Sequence, residues 1–213
     1  MGDSVFVCVT SRDGRVPQYT REAVDAAVKA AEAAGVRCLS SVATGPYGVA
    51  LARNAAVAEF ARSKCSHLLF VDDDVTVPPH AITRLVAAAD GGTRVALGCY
   101  PGVKTFGDGT TRVYVVLVRD GGGLEDCHLT WPDGVVGVQA GGAGCMLIPR
   151  GVVEKIPYPW FRFQGTYVPG AGIVTMGEDI DFCLRARAAG FPVVADGGVR
   201  CGHRKEVDLA AFL

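Results

Sequence analysis

Long apolar runs are missing from this chain. None reaches the ~18 residues that a helix needs to cross a bilayer, so the sequence predicts no membrane span. Charge of one sign is missing too: lysine and arginine total 21 against 22 acidic residues, a formal net charge of −1. No global basic field is available to gather nucleic acid or anionic lipid, and a nucleic-acid surface would have to be local, built from Arg185, Arg187, Arg200, Arg204 and Lys205. The N-terminus has no basic stretch of the kind that opens a signal peptide, and Phe6 stands where a myristoylation signal requires Ser or Thr. Of the eight cysteines, no two make a Cys-x-x-Cys pair, which argues against a structural zinc site and a thioredoxin-like motif. Scattered within apolar runs, they read as buried thiols of a reducing compartment, so the expected location is cytoplasmic. Internal repeats and low-complexity segments are absent as well.

What is present fits one domain with a sizeable core: 213 residues, 49% of them hydrophobic. Residues 5–9, 36–42, 67–71 and 95–100 read as strands. Between them Val24, Ala27, Val28 and Ala31 recur at helical spacing before Gly35, residues 51–61 form an alanine-rich helical run, and Ile82, Leu85, Val86 and Ala89 share one face of a helix that starts near Pro79. Strands alternating with helices predict an α/β fold with a mostly parallel central sheet, Rossmann-like, flanked by helices on both faces. From Pro101 the rhythm changes, with more glycine and proline. Strands are expected at 112–118, 135–139, 145–148 and 193–195, a turn at 121–123, an irregular aromatic segment at 157–176 and a last helix at 178–189 closed by Gly190. The natural division is a nucleotide-binding half, 1–104, and an irregular acceptor-side half, 105–213, within a single domain.

One stretch is electrostatically odd. His-Leu-Leu-Phe-Val-Asp-Asp-Asp, 67–74, drives an apolar strand into the core and then sets Asp72, Asp73 and Asp74 side by side at its exit. Carboxylates that close disfavour one another's ionisation unless a cation compensates. In open parallel sheets, ligands bind beyond the carboxyl ends of the strands, and hard oxygen donors there suit Mg²⁺ or Mn²⁺ carrying substrate phosphates. A solvated acidic turn is the plain alternative.

Other segments stand with it in a fixed order: Ala52-Arg53-Asn54, Asp72-Asp73-Asp74, Gly177-Glu178-Asp179-Ile180-Asp181 and His203. This ordered set resembles the family-two-like glycosyltransferases of GT-A fold, over nearly the whole chain. The resemblance implies a single GT-A domain, 1–213, that takes a nucleotide-sugar donor, a UDP-sugar by preference, with Mn²⁺ or Mg²⁺ as cofactor. It implies that Thr10, Ser11 and Arg12 contact the nucleotide and that Arg53 and Asn54 close over base or phosphates. Read from the residues alone, Arg53 is equally a helix-surface ion pair and Asn54 a polar helix face. In the same scheme Asp72 holds the ribose or the metal through its water, Asp74 binds the metal directly, and Asp73, though within the donor cluster, points away. His203 completes the metal site.

On the acceptor side the resemblance makes Asp179 the catalytic base and Glu178 the group that orients the acceptor, with Asp181 pinning the site from behind. Acidic residues are also favoured in a first helical turn for structural reasons alone. Lys104 is expected to reach phosphate or acceptor, and Arg204 and Lys205 to neutralise the leaving diphosphate. Ala-Gly-Gly-Ala-Gly, 140–144, lacks the setting of a dinucleotide fingerprint and reads as close backbone approach beneath the sugar. Trp160 and its aromatic neighbours read as a stacking surface, a lid or simple packing. The acceptor carries a free hydroxyl: a glycan, a small molecule, a protein or a modified DNA base. The chain ends shortly after His203, which fits single additions better than processive synthesis. Two other enzymes share parts of the pattern: a haloacid-dehalogenase-type phosphatase, with Asp72 as nucleophile in Asp72-Asp73-Asp74-Val75-Thr76, and a nucleotidyltransferase. A binding module without turnover is the non-enzymatic alternative.

Overall fold

The computed structural model describes residues 2–45, 48–105, 110–121, 127–168 and 172–205, the side chains at 104–105, 166–168 and 172–174 excepted. The first half runs β1 (Ser4–Ser11), α1 (Gln18–Ala33), β2 (Arg37–Thr44), α2 (Val49–Arg62), β3 (His67–Asp72), the short β4 (Val75–Thr76), α3 (Ala81–Ala88) and β5 (Val95–Cys99). The second half runs β6 (Pro101–Thr105), β7 (Thr111–Arg119), β8 (Cys127–His128), β9 (Val135–Gly141), β10 (Cys145–Pro149), α4 (Arg150–Lys155), β11 (Gln164–Val168), β12 (Gly172–Met176), α5 (Glu178–Ala188), β13 (Val193–Arg200) and β14 (Gly202–His203). Gly35, at φ +86°, ends α1 by taking the left-handed conformation that a Cβ would strain.

The main sheet has the order β2-β1-β3-β10-β5-β13-β9-β7-β6, with β8 beside β7. β2, β1 and β3 are parallel, and β13 is parallel to β5. The expected α/β sheet is therefore there, parallel among its first-half strands, with an antiparallel extension by β9, β7, β6 and β8 at its far edge and an antiparallel strand at its centre. β3 and β5 are not neighbours, because β10 runs antiparallel between them. All five β10 positions are buried, so its sequence announces a central strand without announcing its direction. The segment at 157–176 is also more regular than expected, since β11 and β12 pair as an antiparallel hairpin. The predicted turn at 121–123 lies outside the described residues from 122 onward.

Strand periodicity divides the core. Along β1, Val5, Val7 and Val9 face a layer with Val24 and Ala27 of α1 and Ile82 and Leu85 of α3. Phe6 and Cys8 face the opposite layer, with Phe60 of α2, Phe161, and Phe182 of α5. The two helix pairs thus cover opposite faces, and the carboxyl ends of β1, β2 and β3 are left open. β14 pairs antiparallel with β4, placing His203 opposite Val75. That ladder returns the far end of the chain to the triple aspartate. No described helix is long and apolar enough to cross a membrane.

Candidate active site

A cavity of about 420 Å³ opens over the carboxyl ends of these three strands. Thr10 and Ser11 at the end of β1, and Arg12 beyond it, form one wall, and Asp72, Asp73 and Asp74 form the floor. Lys205 enters from the chain's far end. A further wall, absent from the sequence reading, comes from Gly45, Gly48, Val49 and Ala52. A Cβ on Gly45 would lie 2.6 Å from the Gly48 carbonyl oxygen and 2.8 Å from the Ala52 Cβ, and Gly48 holds φ +121°. The signal was available in the sequence as Gly-Pro-Tyr-Gly at 45–48, residue types that favour turns, between β2 and α2 at a sheet's carboxyl edge.

Each aspartate has its own environment. The Thr10 hydroxyl donates to Asp72 Oδ1 at 2.5 Å, and Arg53 Nη2 donates to the same oxygen at 2.7 Å. The Asp73 backbone is fixed by the Thr20 hydroxyl, which donates to its carbonyl at 2.6 Å. Asp73 is among the residues that line the cavity. Asp74 Oδ2 lies 3.3 Å from His203 Nε2 and accepts a hydrogen bond from Lys205. Burial alone would raise the Asp74 pKa, but hydrogen bonds from His203 and Lys205 outweigh it and hold the carboxyl at about 2. The Asp74 hydrogen bond raises the His203 pKa, against partial burial and with help from the Pro101 carbonyl.

The predicted meeting of Asp74 and His203 is therefore present. Its geometry also bears on a metal. His203 Nδ1 lies 2.6 Å from the Pro101 carbonyl oxygen, an acceptor only, so Nδ1 carries a hydrogen; the bond to Asp74 uses a proton on Nε2, and the ring that has lost it would turn its Nε2 lone pair to the Asp74 side. Ligating histidines are commonly held this way, by a carbonyl behind the other ring nitrogen. The Tyr100 ring packs edge-on against the imidazole, centroids 5.2 Å apart. Among the described residues no three His, Cys, Asp or Glu side chains gather to hold an ion by themselves. The donor set fits an ion with two protein ligands that draws the rest from water and substrate phosphate, the usual manner of Mg²⁺-type sites.

Arg53 and Asn54 stand behind the cavity, not over it. Arg53 is 3% exposed; its Nη1 pairs with Glu178 while Nη2 holds Asp72. Burial disfavours its charge, but Asp72, Glu178 and Asp179 together more than compensate and raise its pKa. Asn54 donates to the carbonyls of Ala50 and Phe161, at 2.8 and 2.7 Å, and accepts from the Phe161 N–H at 3.1 Å. Both ends of its amide are spent within the protein. Glu178 is 5% exposed and turned to Arg53; burial pushes its pKa up, opposed by that guanidinium.

Asp179 is half-buried, and its Oδ1 accepts the Ile180 N–H at 2.8 Å. Its charge acts on Arg53 together with that of Asp72, but Asp179 is not among the residues that line the cavity. Asp181 binds Arg162, Gln164 and Arg185, at 3.2, 3.2 and 2.8 Å, and so pins the aromatic segment to α5. The side chain of Lys104, in β6, lies outside the described residues. The glycines of 140–144 do permit close approach, but to Tyr100: a Cβ on Gly142 would fall 1.8 Å from its hydroxyl, and Gly144 N–H donates to that hydroxyl at 3.2 Å.

A family model described as glycosyltransferase like family 2 matches residues 1–213. No curated protein matches the sequence. Among solved structures, A197 from STIV aligns with TM-score 0.61 at 21% identity, covering 96% of this chain and 87% of its own. GalNAc-T7, solved with UDP, GalNAc and Mn²⁺, aligns with TM-score 0.53 at 16% identity over 97% of this chain and 44% of its own. TarS 1-349 from S. aureus, solved with UDP-GlcNAc, gives TM-score 0.50 at 11% identity over 98% of this chain and 61% of its own. At these identities the likeness is one of fold, and the chain spans less than two thirds of the last two.

Proposed function

The chain belongs to the glycosyltransferase-like family 2 and has the GT-A fold, and from that premise we propose that it transfers a sugar from a nucleotide-diphosphate donor to an acceptor hydroxyl, with inversion at the anomeric carbon. A UDP-sugar is the favoured donor, supported by GalNAc-T7 solved with UDP and TarS solved with UDP-GlcNAc. The observation that carries the reading is the 3.3 Å approach of His203 Nε2 to Asp74 Oδ2 at a cavity floored by both Asp72 and Asp74.

Thr10, Ser11 and Arg12 bind the nucleotide at the end of β1. Asp74 and His203 would hold Mn²⁺ or Mg²⁺, with Asp72 reached through water or turned to the ribose. When bound, the ion neutralises charge developing on the departing diphosphate. Arg12 and Lys205 supply cationic donors at the cavity wall for the same phosphates. With Oδ1 fixed by the Ile180 N–H, Asp179 keeps Oδ2 to accept the proton of the attacking hydroxyl. The anomeric carbon loses its bond to the diphosphate oxygen and gains one to the acceptor oxygen on the opposite face. Glycan, small-molecule, protein and modified-DNA-base acceptors all carry the required hydroxyl. The phosphatase alternative is weakened by the family match over residues 1–213 and by the place of the acidic triplet, which follows β3 where that signature normally follows the first strand.

A thermal-shift panel of nucleoside diphosphates and nucleotide sugars, with and without Mn²⁺, tests the donor. Ligand-linked stabilisation rises with concentration over dissociation constant, and metal-dependent stabilisation by one nucleotide is expected. Product analysis then separates sugar transfer, which releases a nucleoside diphosphate, from nucleotidyl transfer, which releases pyrophosphate. No stabilisation by any member of the panel would overturn the proposal.

A further inference from the structure

Arg53 is absent from the cavity wall, which takes its neighbour Ala52 instead, yet it touches both carboxylate-bearing segments of the site. One arm of the guanidinium holds Asp72 at the end of β3, and the other holds Glu178, the first residue of α5, 125 positions away in sequence. Phe70 and Phe161 enclose it, with ring centroids 6.0 and 5.9 Å from Cζ. Phe161 is itself fixed by Asn54 and stacks on Phe182 of α5, centroids 4.6 Å apart. The guanidinium is thus a rigid planar fork with no room to swing.

From this geometry we infer that Arg53 is a positioning residue, which sets the separation between the donor-facing end of β3 and the first turn of α5, where Asp179 lies. The inference rests on the transferase reading for the role of Asp179. A stability role alone does not account for the arrangement. Buried ion clusters are often matched or bettered in stability by apolar packing, and here Arg53 Nε is buried with no partner, which costs desolvation without return. What the fork adds is registry. Two segments that must meet one substrate from opposite sides are held by one rigid group, and misplacement of reacting groups by about 1 Å can cost ~10²-fold in rate. Both arms act through carboxylates, so neither base nor phosphate is touched.

The test uses the full chain with R53M/E178Q, which removes the buried charges as a pair so that the variant folds, and R53K, which keeps the charge on a single ammonium that cannot serve both partners. Hydrogen exchange over residues 177–183 and stabilisation by UDP with Mn²⁺ are read beside steady-state kinetics. Expected for R53M/E178Q are faster exchange in that segment, retained nucleotide stabilisation, and kcat lowered by roughly 10²-fold with donor KM within about 3-fold, the pattern of lost transition-state positioning. R53K should fall between it and wild type. Unchanged exchange and kcat in R53M/E178Q, or a rise in donor KM with kcat intact, would overturn the inference. If the wild-type chain transfers no sugar from any donor, the transferase reading fails, and the exchange measurement alone then decides whether Arg53 fixes α5.

Discussion

At the scale of single residues, the proposed chemistry concentrates on Asp74 and Asp179. Asp74 is held at about 2, below its ordinary 3.8, so its pairing stabilises the fold fully above 3.8 and is lost as pH falls toward 2. His203 is raised above 6.5, so its contribution is complete below that value and fades as pH rises past the raised one. The stability gap between wild type and Asp74→Asn, from urea melts, should therefore be widest between 3.8 and 6.5. It should close on the acid side and narrow only in part on the alkaline side, because Asp74 also accepts a hydrogen bond from Lys205; a gap independent of pH would mean the pair does not form in solution. Asp179→Asn should bind nucleotide and Mn²⁺ as wild type does while kcat falls by about 10²- to 10⁴-fold, the usual worth of a positioned base. The Asp74–His203 meeting was legible because acidic triplet, Gly-Glu-Asp helix and late histidine occur in one order. The place of Glu178 was not, because its partner Arg53 is 125 residues distant, and nothing at Glu178 itself distinguishes a buried ion pair from an acceptor contact.

At the scale of elements, the helices and the apolar strands of the first half fell close to their predicted bounds, because amphipathic spacing and buried runs are local signals. The elements that finish the site carry no such signal. β4 and β14 are two residues each, too short to show a period, and exist only because each supplies the other's hydrogen bonds. The direction of β10 is equally silent, since a strand buried on both faces shows no alternation. The link from β9 to β10 offers a direct check. Tyr100 is wedged between its glycines and the His203 ring, so Gly142→Ala must displace the tyrosine. Overpacking of this kind costs about 1–3 kcal/mol. The displacement should also loosen His203, so that Mn²⁺-dependent stabilisation by nucleotide weakens along with the melting temperature. A variant that melts lower yet keeps its full metal response would show that Tyr100 packs the core without steering the imidazole.

At the scale of the whole molecule, the two halves meet at a cavity that neither builds alone. Strands β1 to β3 supply its floor and walls, and the return of the chain after β13 supplies His203 and Lys205. For the proposed transferase, this division would set how metal and nucleotide depend on each other. Among the described residues no three ligating side chains gather at one point, so an ion bound to the free protein would have only Asp74 and His203, and must compete with Lys205 for the same Asp74 oxygen. On the proposed reading, donor phosphates would supply the missing oxygens and draw Lys205 toward themselves, so that each ligand would raise the affinity of the other by the same factor. Mn²⁺ alone should shift the melting temperature little, UDP alone modestly, and the two together by more than the sum, with EDTA abolishing only the excess. Mn²⁺ titrated by electron paramagnetic resonance should bind Lys205→Ala more tightly than wild type when nucleotide is absent, and with a smaller further gain when it is added. Equal Mn²⁺ affinity in the two proteins would mean that Lys205 does not occupy the cation's place on Asp74, and the proposed coupling of metal to diphosphate would lose its structural basis.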